Sequence, residues 1–155
     1  MNKQCLNLDE LFPVIAEVIA SGGEFRLYPR GVSMLPLFRQ GTDSVVLASL
    51  GEVAVNDMIL YRRDDGSFVL HRVVKIKNGE YIMCGDNQYE LEYGVEKRHL
   101  LARVAYFYRD SERVSLDNER YKNYLKTLPK KRRRLRLRAR LAKIKNAIFS
   151  KKKAK

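Results

Sequence analysis

The chain has 155 residues, of which 45% are apolar, enough for one domain with its own hydrophobic core but not comfortably for two. Glycine (9) and proline (4) occur at ordinary levels, which excludes a collagen-like, mucin-like or wholly disordered chain. The net charge of +13 comes from one end, because residues 130–155 hold 14 of the 31 basic residues and none of the 18 acidic ones.

The sequence predicts neither an integral membrane protein nor a secreted one. Its apolar runs are a few residues long, far short of the roughly 18 that would span a bilayer. The N-terminal stretch carries acidic residues within its apolar part and lacks a basic start, so it does not have the pattern of a secretory signal. Cys5 and Cys84 lie far apart without a CxxC partner, which is typical of reduced thiols rather than a zinc site or a disulfide framework. We therefore expect a cytoplasmic location.

The first predicted element is an amphipathic helix over residues 8–21. Gly22 and Gly23 follow it as a stop signal. We assign residues 1–23 to this helix and expect it to pack on the domain. The apolar residues that recur at helical spacing are Leu8, Leu11, Phe12, Ile15, Val18 and Ile19.

The middle of the chain predicts a mainly β fold. Residues 24–110 contain short β-like runs separated by turn residues, so they are expected to form a compact and mostly antiparallel β-domain. Residues 111–128 form a linker, in which residues 117–128 are weakly helical. A sharp change of composition at Pro129 marks residues 129–155 as a basic tail, either amphipathic or disordered. The predicted strands are FRLY, DSVVLAS, DMILYRR, SFVLHRVVKI, EYIMC and ARVAYFY.

The clearest local signal is a hairpin turn at Asn78 and Gly79. Asn-Gly between two apolar runs favours a type I′ turn of two residues. If no bulge intervenes, the register of this hairpin places His71 directly opposite Asp86, within reach of a carboxylate–imidazole hydrogen bond. Such a pair can orient a general base. The other predicted pairs are Lys77 with Glu80, Lys75 with Ile82, and Val73 with Cys84.

Ser33 is the best candidate for a nucleophile. It lies in the turn-rich segment PRGVSMLP, where glycine and proline can hold an exposed hydroxyl and backbone N–H groups in a fixed geometry. A loop serine is more often solvated or capping, and a His/Asp pair is often structural, so residue types alone leave both interpretations open. The candidate oxyanion and pocket residues around Ser33 are Gly31, Val32, Met34 and Pro36.

Three segments in order, GVSMLPLFRQGTDSVVL, NDMILYRR and VLHRVVKIKNGEYIMCGDN, resemble the boxes of the S24/S26 serine peptidase superfamily. This superfamily includes type I signal peptidases and LexA-like self-cleaving repressors. The resemblance covers about residues 28–104. It is closest to the endoplasmic-reticulum and SipW-type signal peptidases, in which a histidine replaces the lysine base.

The resemblance implies a LexA- and signal-peptidase-like β-domain in which the substrate adds as an extended strand. It also implies an acyl-enzyme mechanism with Ser33 as nucleophile, His71 as general base and Asp86 as acidic partner, without a metal or organic cofactor. The chain has Gly31 where many bacterial signal peptidases carry a hydroxyl residue, so we expect an oxyanion hole made of backbone N–H groups only.

The tail pattern predicts a basic amphipathic helix over residues 131–149. Such a helix suits an anionic membrane surface, which we favour over nucleic acid, whereas a disordered solubilising tail is the simpler alternative. The apolar stripe consists of Leu137, Leu141, Ile144 and Ile148. The basic residues assigned to binding are Arg132, Arg133, Arg134, Arg136, Arg138, Arg140 and Lys143.

Three functions are compatible with these patterns. The first is a signal-peptidase-like serine endopeptidase, cytoplasmic or held at the inner membrane face, that cleaves a peptide or protein substrate. The second is a LexA-like self-cleaving regulator. It fits poorly, because about 30 residues before the site are too few for a helix-turn-helix domain and no Ala-Gly dipeptide precedes Ser33. The third is a catalytically inactive module that binds extended peptides.

Overall fold

The computed structural model of the protein describes residues 8–153. Within these residues the chain is mainly β, as predicted, and its strands form one eight-stranded antiparallel sheet. One helix precedes the strands in the sequence and one follows them. A short 3₁₀ helix, Lys97–His99, precedes the seventh strand. The helices and strands in chain order are α1 (Leu8–Ala20), β1 (Phe25–Leu27), β2 (Ser44–Ala48), β3 (Met58–Arg62), β4 (Phe68–Lys77), β5 (Glu80–Cys84), β6 (Glu92–Val95), β7 (Leu100–Arg109), β8 (Glu112–Ser115) and α2 (Glu119–Lys153).

The strand order in the sheet is β1-β2-β7-β3-β4-β5-β6, and β8 pairs with β7. Strand β4 lies between β3 and β5, but Arg72 is the one residue of β4 that pairs with both of these strands. Strand β3 pairs with residues 68–72, whereas β5 pairs with residues 72–77. In the part of the chain that the structure describes, residues 68–71 therefore have no strand beside them on the β5 side.

The predicted hairpin turn is confirmed, but its register changes further along the strands. Asn78 and Gly79 have φ angles of +52° and +81°, as a type I′ turn requires. The register shifts between Val73 and Lys75, where Val74 is an extra residue in β4. The observed pairs are Lys77 with Glu80, Ile76 with Tyr81, Lys75 with Ile82, Val73 with Met83, and Arg72 with Cys84.

The predicted pairs of Val73 with Cys84 and of His71 with Asp86 are therefore wrong. One extra residue on one strand moves every later partner by one position, and side chains alternate between the two faces of a strand. The shift therefore separates His71 and Asp86.

Two buried clusters occupy opposite faces of the sheet at β3. Met58 and Leu60 belong to the larger cluster, whereas Ile59 and Tyr61 belong to the smaller one. This alternation follows the two-residue repeat of a strand with both faces buried. Helix α1 packs on the larger cluster through Ile15, as its predicted apolar face requires.

Helix α2 covers part of the same cluster and continues far beyond it. It starts within the predicted linker and runs through Pro129, so the change of composition there is not a break in the helix. Leu128 is buried just before the proline, and Leu135 is half-buried beyond it. None of the helices in the described residues is both long and apolar enough to cross a membrane.

Candidate active site

Ser33 is half-buried in a series of turns between β1 and β2. The loop enters this series at Gly31, whose φ of +84° favours glycine. The Leu35 N–H donates to the Val32 carbonyl oxygen over 3.2 Å, which closes a turn around the serine. Among the described residues, the backbone N–H groups of Ser33 and Met34 donate no hydrogen bond. These two groups are therefore the candidate donors for a backbone oxyanion hole.

The loop that holds Ser33 is attached to the segment after β5. The Asn87 N–H donates to the Ser33 carbonyl oxygen over 2.7 Å, and the Asn87 side chain donates to the Val32 carbonyl oxygen over 3.2 Å. A Cβ atom on Gly85 would lie 2.6 Å from the Ser33 carbonyl oxygen, so only glycine allows this approach. The packing thus attaches the loop of the candidate nucleophile to the segment after β5, and Asn87 of that segment lines the same cleft as His71.

His71 is buried and is held by a chain of two hydrogen bonds. Its Nδ1 atom lies 3.3 Å from the Tyr61 hydroxyl, which donates to Glu92 Oε2 over 2.6 Å. Because an ionised carboxylate only accepts, the Tyr61 oxygen accepts its bond from His71. This arrangement assigns the proton to Nδ1 and leaves the lone pair of Nε2 free.

The pKa of His71 is lowered to about 4, chiefly because burial disfavours the imidazolium. The negative charge of Glu92 opposes this shift, and the positive charge of Arg63 adds to it. The imidazole is therefore neutral at pH 7 and can accept a proton. Neutral histidine is the form that a general base requires.

Glu92 remains charged because Arg63 binds both of its oxygens. Arg63 Nε lies 2.6 Å from Oε1, and its Nη2 lies 2.7 Å from Oε2. The hydrogen bonds from Arg63, followed by the one from Tyr61, lower the pKa of Glu92 although partial burial opposes them. Glu92 Oε2 is 3.9 Å from His71 Nδ1. The carboxylate is therefore close enough to stabilise an imidazolium formed during a reaction.

Asp86 forms a different set of bonds, on the other face of β4. Its two oxygens accept from Arg72 Nε and Nη2, each over 2.7 Å, and one of them also accepts from the Tyr124 hydroxyl over 2.9 Å. Arg72 and Asp86 are both buried, and Arg72 also donates to Tyr121 over 2.8 Å. Burial alone would lower the pKa of Arg72, but the bonds and charge of Asp86 outweigh it and raise the pKa.

The predicted hydrogen bond between His71 and Asp86 is therefore not formed. His71 and Arg72 are consecutive residues in a strand, so their side chains point to opposite faces. The bulge at Val74 gives Arg72, rather than His71, the position next to Asp86.

An open cleft of about 640 Å³ lies on the His71 side of the sheet. Ser33 is linked to the cleft through Asn87, which contributes to its wall. In the described structure the Ser33 hydroxyl makes no hydrogen bond to His71. The cleft is lined by Arg63, Asp65, His71, Met83, Glu92 and residues 87–91.

The other predicted pocket residues lie in different surroundings. Val32 is exposed, with 62% of its surface accessible, and Pro36 is also exposed. Met34 is buried in the larger core cluster and therefore packs rather than lines a pocket. The Pro36 carbonyl accepts a hydrogen bond from Arg109, which fixes the end of the Ser33 loop to β7.

Sequence reasoning missed Tyr61 and Glu92. Tyr61 could have been found from the β3–β4 pairing, because it lies two residues after Ile59, the partner of His71, and so on the same face. Glu92 lies in β6, a strand whose EYGV sequence carries no strong β signal.

Neither a scan against models of protein families nor a search of curated proteins finds a match to this chain. The chemistry of the site is therefore inferred from its own residues. Among the described residues there is no group of three or more His, Cys, Asp or Glu side chains that could hold a metal ion.

The predicted tail residues all lie in α2. Arg132 is half-buried beside Cys84, a buried free thiol whose pKa is raised chiefly by burial. The side chain of Ile148, the last residue of the predicted apolar stripe, lies outside the part of the chain that the structure describes. The remaining predicted basic residues are exposed: Arg133, Arg134, Arg136, Arg138, Arg140 and Lys143.

Proposed function

We propose that this protein is a serine endopeptidase in which Ser33 is the nucleophile and His71 the general base. The observation that carries the proposal is the attachment of the Ser33 loop to Gly85 and Asn87, because Asn87 and the neutral His71 line the same open cleft. Ser33 Oγ attacks the scissile carbonyl carbon and His71 Nε2 takes the hydroxyl proton. The backbone N–H groups of Ser33 and Met34 stabilise the oxyanion.

The imidazolium then gives its proton to the leaving amine, and the peptide remains bound to Ser33 as an ester. Water hydrolyses this ester with His71 again as base. In this mechanism Glu92, acting through Tyr61, takes the positioning role that the sequence assigned to Asp86. No metal or organic cofactor takes part in these steps.

We propose that the substrate binds as an extended strand along residues 68–71 of β4. Strand β3 occupies one side of this segment, and the side towards β5 has no partner strand in the described chain. A peptide added there would form backbone hydrogen bonds next to His71, with alternate side chains directed into the cleft. The resemblance to signal peptidases supports this mode of binding and a peptide or protein as substrate.

We propose a cytoplasmic location, with which the free thiol of Cys84 is compatible; Cys5, the other cysteine, lies outside the described residues. The oxidising conditions outside the cytoplasm favour disulfide-bonded cysteines. Attachment at the inner membrane face would depend on α2.

The experiment is labelling of the purified full chain with a fluorescent fluorophosphonate. We expect wild type to be labelled, and we expect the Ser33→Ala and His71→Gln variants to lose labelling by about 10³-fold or more. Ser49→Ala, which alters an exposed serine away from the cleft, is the matched control and should label like wild type. Labelling of Ser33→Ala at the wild-type rate would overturn the proposal.

A peptide-binding module without catalysis is the second candidate. The observation that favours it is that Ser33 and His71 are not hydrogen-bonded, whereas the open edge of β4 is sufficient for binding. Wild type that resists the probe but binds extended peptides, with equal affinity in Ser33→Ala, would establish this function instead.

A further inference from the structure

Helix α2 presents two different faces along its length. The residues through which it packs on the domain recur at intervals of three or four, so they share one face. The last of them, Ala139, is half-buried, and residues 140–147 are all exposed. The helix therefore leaves the domain near Ala139 and projects from it. The packed face consists of Tyr121, Tyr124, Leu128, Arg132, Leu135 and Ala139.

The apolar stripe of the outer half lies on the opposite side of the helix. Leu137 follows Leu135 by two residues, which is a rotation of about 200°. Leu141 and Ile144 lie within about 40° of Leu137 on the same line. These three side chains are 58%, 57% and 57% exposed. Because the stripe faces away from the domain, the domain itself cannot cover it.

Basic side chains border this stripe on both sides. Arg133 and Arg140 lie about 40° to 60° to one side of Leu137, and Arg134 lies about 60° to the other. All three are exposed. An apolar line between two rows of arginine is typical of helices that lie in a membrane interface, where long side chains reach the headgroups.

The charge distribution decides which partner fits. Residues 130–155 hold 14 basic and no acidic residues, whereas the remaining chain has 17 basic and 18 acidic residues. A second copy that packed its own α2 against this stripe would bring two basic helices together, and the rest of the chain has a net charge of only −1 with which to offset them. Nucleic acid would neutralise the arginines but leave the apolar stripe in water. An anionic bilayer satisfies both the charges and the stripe.

We infer that the outer half of α2 docks on an anionic lipid bilayer, with Leu137, Leu141 and Ile144 inserted at the headgroup boundary. The helix lies in the plane of the surface, and the domain sits on its membrane-distal side. Hydrogen bonds connect α2 to the core beneath it, from Tyr124 to Asp86, and to the Ser33 loop, from Lys131 to the Leu35 carbonyl oxygen.

The test is co-sedimentation of the full chain with vesicles of phosphatidylcholine alone or mixed with phosphatidylglycerol, at about 0.15 M salt. We expect binding to the mixed vesicles only. The triple variant Leu137→Gln, Leu141→Gln, Ile144→Gln keeps every charge and should bind about 100-fold more weakly. Val14→Gln combined with Val55→Gln removes two exposed apolar side chains outside α2 and should bind like wild type.

Two results would overturn this inference. Equal binding by the triple variant would show that charge alone attaches the protein. Binding to duplex DNA of random sequence, without binding to the mixed vesicles, would identify nucleic acid as the partner. The Ser33→Ala variant should bind vesicles like wild type, so failure of the peptidase proposal and failure of the docking proposal are distinguishable.

Discussion

His71 and Arg72 are neighbours in β4, yet they belong to opposite kinds of environment. Arg72 is fully buried and bonded to Asp86 and Tyr121 on the face that α2 covers. His71 lies on the other face, at the wall of an open cleft, where Tyr61 holds its Nδ1 atom. One strand therefore carries a buried ion pair and, one residue away, the candidate general base. Their separation depends on the alternation of side chains and on one bulge.

The sharpest test of this comparison is the removal of each carboxylate. Asp86→Ala leaves the buried Arg72 without its partner and should lower the free energy of unfolding by about 3–5 kcal/mol. Glu92→Gln alters a partly exposed pair with Arg63 and should lower it by about 1 kcal/mol or less. Urea denaturation followed by circular dichroism measures both changes. The double variant Arg72→Met, Asp86→Leu should recover most of the stability that Asp86→Ala loses. Equal losses in Asp86→Ala and Glu92→Gln would contradict the distinction between a buried and a partly exposed ion pair.

A smaller effect is expected at Tyr61. The Tyr61→Phe variant removes the hydroxyl that connects Glu92 to His71, so the imidazole loses its fixed orientation. We expect the rate of fluorophosphonate labelling to fall by about 10–100-fold while the protein remains folded. Tyr81 is half-buried against the smaller core cluster, to which Tyr61 also belongs. The Tyr81→Phe variant is therefore the control and should label at the wild-type rate. An unchanged rate in Tyr61→Phe would remove Glu92 from the mechanism.

The smallest effect concerns pH. Because burial lowers the pKa of His71 from 6.5 to about 4, the imidazole stays neutral well below pH 6.5. It becomes protonated, and can no longer act as a base, only as pH falls through about 4. The labelling rate should therefore stay level below pH 6.5 and fall towards pH 4. Glu92→Gln removes a charge that favours the imidazolium, so it should move this fall to still lower pH.

The same shift has a consequence for folding. The unfolded chain binds a proton at His71 near pH 6.5 and the folded protein only near pH 4, so stability falls as pH decreases between these values. A fall in labelling rate centred near pH 6.5 would show that His71 is not in the buried, neutral form.

Local signals in the sequence were sufficient for part of the fold. The spacing of Ile15 and its neighbours identified α1, and Asn78 with Gly79 identified the hairpin turn, because both patterns depend on residues a few positions apart. The six predicted runs correspond to six of the eight strands in the described chain. Strands β6 and β8 were missed, since EYGV and ERVS combine polar residues with little apolar pattern.

The partner of His71 could not be predicted for a different reason. The run RVVKIK contains no glycine or proline to mark the bulge at Val74, and a single inserted residue reverses which side chain faces Asp86. Nor does the sequence show that Arg72 is buried, because arginine is usually exposed. The resemblance supplied the residue types of a site, whereas the packing decided which of them meet.

Because α2 is one helix from Glu119 to Lys153, the direction of its outer stripe is fixed by the number of residues that precede it. One residue inserted at the exposed Arg136 would turn Leu137, Leu141 and Ile144 together by about 100° relative to the face that packs on the domain. Seven residues would turn them by only about 20° from their present direction. The tail therefore behaves as a part of the domain with a set helical phase, and a change in its length redirects the stripe unless it comes close to whole helical turns, as seven residues do.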